Sequence, residues 1–149
     1  MKRKMKRRLC SLLLAFALLP AVAPAEVVGR DGMYADRYIH RIEAPNGQAL
    51  YYLSTEEDAF VTARDVNFDG FPDLGLPCDT THNEVHAWFI WDGEAGSYRY
   101  LTLLGGQLTL DSETRQLEEV WWIDDPAVVN TYVWDEAGQL QLVDIRLQE

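Results

Sequence analysis

Short polar turn signals recur along this chain at intervals that leave room for paired strands and little else. Asn46-Gly47, Asp69-Gly70, Asp92-Gly93 through Gly96, Asp111-Ser112 and Asp135 through Gly138 begin 23, 23, 19 and 24 residues apart. Asp and Asn side chains bond to their own backbone two residues on, and Gly takes the positive φ that tight reversals need. Between the turns lie Leu50-Tyr51-Tyr52-Leu53, Ala87-Trp88-Phe89-Ile90-Trp91, Val120-Trp121-Trp122-Ile123 and Thr131-Tyr132-Val133-Trp134. Such aromatic and β-branched runs suit a pleated, half-buried surface. Each interval holds one hairpin, and no window beyond the first 25 residues keeps a helical period. The expected fold is therefore all-β: an antiparallel hairpin meander that limits its edges by closing into a small propeller-like, barrel or sandwich domain.

Two strands carry finer information. The run from Val85 to Trp91 is apolar on both faces, which predicts cover on both sides. The run from Leu140 to Leu147 changes its apolar face partway, and a bulge near Val143 accounts for that. Trp91-Asp92 and Trp134-Asp135, 43 residues apart, invite comparison with WD repeats. The Gly-His element of those repeats is absent, so each Trp is read as ending a strand and each Asp as opening a turn.

Residues 1–25 read as an export signal. Lys2, Arg3, Lys4, Lys6, Arg7 and Arg8 form a basic start, Leu9 to Leu19 an apolar run, and Ala23-Pro24-Ala25 a small-residue cleavage pattern. The apolar run is shorter than the roughly 20 residues a membrane span needs. Residues 26–149 then form one domain, exported to the periplasm or secreted. They hold seven basic residues, all Arg, against 24 acidic ones, a formal charge of −17. That surface repels phosphate backbones, so nucleic acid is excluded as a partner, and it attracts cations and basic proteins. Cys78 is the only cysteine of this domain. No internal disulfide can form there, and a buried thiol is expected.

The sharpest local signal is Asp65-Val66-Asn67-Phe68-Asp69-Gly70-Phe71-Pro72-Asp73. Calcium is held by six to eight oxygens, and a tight loop supplies them from its first, third, fifth and ninth side chains and from the seventh carbonyl. Here these are Asp65, Asn67, Asp69, Asp73 and the carbonyl of Phe71, with Gly70 at the sixth position, where the backbone must bend. An acidic hairpin turn without metal has the same composition, but its three carboxylates repel one another. The loop differs from a helical calcium hand: its twelfth residue is Leu76 instead of a bidentate Glu, and its flanks, Phe60 to Ala63 and Leu74 to Pro77, are apolar and β-prone. The site is therefore placed at a β-hairpin tip.

The stretch from Asp65 to Leu74, followed by Trp88-Phe89-Ile90-Trp91-Asp92, resembles single-domain relatives of the FG-GAP and VCBS calcium-hairpin repeats. Within them it is most similar to exported bacterial proteins in which such a loop precedes an aromatic strand ending in Trp-Asp. The resemblance implies a small propeller-like β fold, calcium on Asp65, Asn67, Asp69, Phe71 through its carbonyl, and Asp73, and, as in some members, a role as an inhibitor of or immunity protein against lysozyme-like cell-wall hydrolases. The Ser-Gly-x-x-Tyr loop of other lysozyme inhibitors is absent, since Gly96-Ser97-Tyr98 has the reverse order, so no inhibitory residue transfers.

Other constellations carry less. His82, Glu84 and His86 share one face if extended, which makes a zinc or copper site geometrically allowed. His40, between Ile39 and Arg41, is read as an outward strand residue. Most of the five tryptophans are expected in the core, and one or two exposed in a concave patch would serve as anchors for a protein or sugar. No nucleophile elbow appears, and carboxylate pairs such as Asp124-Asp125 and Glu118-Glu119 read as solvated charge. Three functions follow in order: a calcium-binding module for a basic envelope protein such as a lysozyme-like hydrolase, a structural or adhesion module, and a small glycan hydrolase.

Overall fold

The computed structural model describes residues 25–30, 37–58, 60–79, 83–105, 107–123 and 125–148. The export segment expected over residues 1–25 lies outside them except for Ala25, as does His82. Eleven strands run in chain order: β1 Glu26–Arg30, β2 Tyr38–Glu43, β3 Ala49–Ser54, β4 Thr62–Arg64, β5 Asp73–Asp79, β6 Val85–Asp92, β7 Ser97–Leu104, β8 Gln107–Asp111, β9 Gln116–Trp121, β10 Val128–Trp134 and β11 Leu140–Leu147. Among the described residues no helix is long and apolar enough to cross a membrane.

Every turn signal in the sequence becomes a hairpin. In four of the five a glycine takes positive φ, Gly47 at 83°, Gly70 at 89°, Gly96 at 62° and Gly138 at 71°, joined in the second by Phe68 at 59°. The opening carboxylates cap the turns as their chemistry dictates. Asp92 accepts from the N–H of Glu94 and Ala95, Asp111 from Glu113 and Thr114, and Asp135 from Ala137 and Gln139. The Asp111 turn has no glycine, so Arg115 takes the left-handed position at φ 55°. That conformation costs a side-chain-bearing residue about 1–2 kcal/mol. It also aims the Arg115 guanidinium at the carbonyl of Asn67, 3.1 Å away.

The expected single meander is instead cut into three antiparallel sheets, ordered β1-β2-β3, β4-β5-β6-β7 and β11-β10-β9-β8. None closes into a barrel. The sheets stack like layers of a sandwich, because the middle one has apolar side chains on both faces. Toward the first sheet, Leu74, Leu76, Ala87 and Tyr98 pack with Ile42, Leu50 and Tyr52. Toward the third, Trp88, Ile90 and Leu104 pack with Leu117 and the loop residue Val66. Alternation along β6 thus feeds two cores, as its two-sided apolar pattern required, and each buried Leu or Ile stabilises by about 1.5–3 kcal/mol. Gln48 covers the free edge of β7: its amide donates to the Tyr98 carbonyl at 2.9 Å and accepts from the Tyr98 N–H at 2.7 Å. The bulge also falls where the polarity switch placed it. Thr131 pairs with Asp144 and Tyr132 with Leu142, leaving Val143 as the extra residue.

Gly75 lies beneath the Trp88 ring, where an added Cβ would stand 2.9 Å from Cζ2. Both residues are buried, so neither can yield cheaply. Gly75→Ala is expected to cost about 1–3 kcal/mol by overpacking, read as an earlier urea midpoint with an unchanged slope.

Candidate functional site

The loop spanning residues 65–73 joins β4 to β5, which pair through Thr62 with Gly75 and Arg64 with Asp73. It is a hairpin tip, as its flanks predicted. Two left-handed residues, Phe68 at φ 59° and Gly70 at φ 89°, fold the chain back on itself. An added Cβ at Gly70 would meet no neighbour within 4 Å, so glycine is required there by its backbone angle and not by crowding.

Three of the predicted ligand residues are brought together by this bend. Asp65 Oδ1 and Asn67 Oδ1 accept the same N–H, that of Asp69, at 3.1 and 3.2 Å. The second oxygen of Asp65 accepts from Gly70 at 2.9 Å, and Asp69 Oδ1 accepts from Phe71 at 2.8 Å. The Asn67 amide donates to Asp69 Oδ2 at 2.9 Å. Alternate oxygen-bearing side chains therefore converge over one turn, held by the turn's own amides. Phe71 follows and is 54 % exposed.

Asp73 is placed differently. It is 0 % exposed, and its two oxygens accept from the N–H of Val66 at 2.8 Å and of Trp91 at 2.9 Å. It ties the base of the loop to β6. Burial pushes its carboxyl up to about 6 against the pull of the N–H groups of Trp91, Val66 and Asn67, and the nearby Asp69 carboxylate adds to the rise. The loop is also clamped to the third sheet: the Trp134 indole N–H donates to the Val66 carbonyl at 2.7 Å, and Phe68 packs into the second core.

The donor atoms of Asp65, Asn67 and Asp69 are oxygens, the type a hard cation takes, and here they accept the turn's own N–H groups. Asp65, Asn67 and Asp69 present oxygens to one region, and a carboxylate such as Asp73 that accepts a few N–H bonds has about four lone-pair sites in all. Among the described residues no three His, Cys, Asp or Glu side chains form a metal-holding group. The turn gathers Asp65, Asn67 and Asp69, while the Asp73 carboxylate is bonded to the Val66 and Trp91 N–H groups.

Elsewhere two expectations change. Glu84 has φ 48° and lies just before β6, so it does not share an extended face with His86; its carbonyl instead meets His86 Nδ1 at 2.6 Å. His40 is not outward. It is 0 % exposed, stacked 5.0 Å from the Tyr52 ring, with Nε2 against the carbonyl of Glu56 at 2.8 Å. It shares the inward face of β2 with Ile42, two residues on, and that alternation is the sequence signal for its burial. The neighbouring Tyr52 hydroxyl is pushed up to about 12 by burial and by Cys78. Cys78 itself is half-buried, its thiol donating to the Leu76 carbonyl at 3.5 Å, and burial raises its pKa, which keeps it a thiol. Among the tryptophans, Trp88 is deep in the core, while Trp122 is 40 % exposed beside Ile123 at 70 %. The Trp122 N–H is held by Asn83 Oδ1 at 2.8 Å. No family model, curated protein or solved structure matches the chain.

Proposed function

We propose that the chain is an exported, calcium-stabilised β module that binds a protein partner, with a basic cell-envelope protein such as a lysozyme-like hydrolase as its target and inhibition, not catalysis, as the outcome. The observation that carries this reading is the convergence of the Asp65, Asn67 and Asp69 oxygens on one turn. Asp73 and the Phe71 carbonyl complete the proposed ligand set. When bound, calcium supplies charge neutralisation: it offsets repulsion among acidic groups that the turn holds close. The residues of the chain do the rest. Asp73, Trp134 and Phe68 fasten the loop to two sheets, so order at the loop is transmitted to the body that a partner meets.

A strongly negative surface speeds encounter with a cationic partner. Trp122 and Ile123 supply the kind of exposed aromatic and aliphatic anchors on which interface energy concentrates. Among the described residues the carboxyl whose pKa is raised, Asp73, is buried with its oxygens accepting from backbone N–H groups, a poor position for a general acid.

Calcium at ten times its dissociation constant is expected to stabilise the fold by about 1.4 kcal/mol. Asp69→Ala removes that gain, so the variant melts alike with calcium and with chelator. Identical melting of the unmodified protein under both conditions refutes the calcium site. The partner reading is tested by passing an envelope extract over immobilised protein: a cell-wall hydrolase captured stoichiometrically and blocked supports it, and an unblocked or absent hydrolase leaves an architectural module.

A further inference from the structure

The second and third sheets meet near two of their outer strands, β4 and β8. A cavity of about 320 Å³ is lined from both, at the small end of the range for ligand pockets. Its floor follows from one glycine. Thr62, Gly75 and Trp88 form a cross-strand row, and because Gly75 has no side chain the Trp88 ring lies over it, toward β4. Leu104 and Leu108 add apolar wall, and two polar side chains on the same cavity have spare capacity. Arg64 is half-buried and gives one N–H to the Leu108 carbonyl at 2.8 Å. A guanidinium has several further donors, yet among the described residues Arg64 meets no carboxylate, whereas Arg41 pairs with Glu43 and Arg146 with Glu118 and Asp144. In a domain so rich in acid, a half-buried cation without a counter-ion is out of keeping with the composition, because an unpaired charge is costly to desolvate. The second group is His86. Its Nδ1 stands 2.6 Å from the Glu84 carbonyl, which can only accept, so Nδ1 carries the proton and Nε2 presents a lone pair.

We propose that this cavity binds an elongated aliphatic monocarboxylate, its carboxylate on the Arg64 guanidinium, its body against Leu104, Leu108 and Trp88, and a hydroxyl at its far end donating to His86 Nε2. Charge sets the first limit. One guanidinium balances one negative charge, and Glu84, which lines the cavity beside His86, repels a second at that end. The floor sets another: Trp88 is only 3 % exposed, so it offers apolar contact but no open ring face for a sugar to stack on. Length follows from the strand register. Arg64 lies opposite Asp73 and His86 opposite Pro77, four residues further along β5, roughly 13 Å at the rise of an extended strand. Both side chains shorten that gap, and a chain of several carbons spans what is left, whereas a compact ion such as acetate reaches Arg64 alone.

Titration of isotope-labelled protein with 6-hydroxyhexanoate in calcium buffer is expected to move the Arg64 guanidinium and His86 imidazole resonances, and the amides of Leu104 and Leu108, along one saturating curve. Hexanoate is expected to bind about tenfold more weakly, as the loss of one hydrogen bond implies. The methyl ester of 6-hydroxyhexanoate, which lacks the charge, is expected not to bind at the same concentrations, and Arg64→Gln is expected to abolish saturation by the acid. Shifts that scatter over the surface or never saturate, an ester that binds as well as the acid, hexanoate of equal affinity, or a folded Arg64→Gln variant that still saturates overturns the proposal. Because Arg64 also braces Leu108, that variant is read only beside an unchanged melting curve; should it misfold, the comparison of acid with ester on the unmodified protein decides alone.

Discussion

Replacing Asp73 with alanine is expected to lower unfolding stability by roughly 2–5 kcal/mol, because two backbone donors lose their acceptor and each buried N–H left unpaired costs about 1–3 kcal/mol. Val66, whose N–H is one of them, is 0 % exposed, so water cannot replace the carboxylate there. The other donor is Trp91, in the strand that feeds both cores. One side chain thus closes the loop, fixes β4 to β5 and ties both to β6. For a domain of this size the change corresponds to a fall of roughly 5–20 °C in melting temperature. Asp73→Asn is expected to be milder, since it retains one acceptor and turns an N–H₂ toward the second donor. A calorimetric scan of both variants with calcium chelated checks the ranking; an alanine variant that melts within a degree or so of the unmodified protein refutes the role.

The same residue sets a pH dependence with a definite sign. Its carboxyl titrates near 3.8 when unfolded and about 6 when folded, so between those values the folded chain keeps a proton that the unfolded chain has released. The contribution is fully present below about pH 4 and is lost as pH rises through 6. The carboxamide of the Asp73→Asn variant does not titrate. The stability gap between the unmodified protein and that variant is therefore expected to narrow as pH climbs from 4 to 7 in chelator, a trend opposite to that of an ordinary salt-bridged carboxylate.

What the sequence disclosed follows from how local the chemistry is. Asp and Asn at turn openings, and Gly47, Gly70, Gly96 and Gly138 where φ is positive, act within five residues, so all five hairpins were readable. Val143 was readable too, since a bulge leaves a phase change in the apolar pattern. The division into three sheets was not. It depends on contacts such as Thr55 N–H to the Cys78 carbonyl at 3.0 Å and Arg64 to the Leu108 carbonyl at 2.8 Å, which no window of sequence brings together. At the candidate site, spacing disclosed the turn and its converging oxygens. The depth of Asp73 came from β6, eighteen residues downstream, and spacing is silent on that.

Glu119 shows the same limit more sharply, and its replacement by leucine is the second large loss expected. Beside Glu118 it reads as solvated charge, yet strand alternation sends the two neighbours to opposite faces, and Glu119 is only 2 % exposed. One carboxylate oxygen accepts from the Gly105 N–H at 2.6 Å; the other accepts from the Tyr132 hydroxyl at 2.7 Å and from the Asn130 amide at 3.4 Å. Gly105 is where the chain leaves β7 for the third sheet, and the Trp121 ring lies so close over it that an added Cβ would stand 2.5 Å away. The carboxylate therefore satisfies the backbone at the break between sheets, where no strand partner exists. Burial and this hydrogen bond also raise the Tyr132 hydroxyl's pKa, which keeps it a donor. Glu119→Leu strands the Gly105 N–H and the Tyr132 hydroxyl, at a cost of roughly 2–5 kcal/mol. Tyr132→Phe removes one of those orphans, so the leucine change is expected to cost measurably less when Tyr132→Phe is already in place, a coupling that urea melts of the double-mutant cycle report directly. Strict additivity of the two changes would mean that the hydroxyl and the carboxylate do not meet.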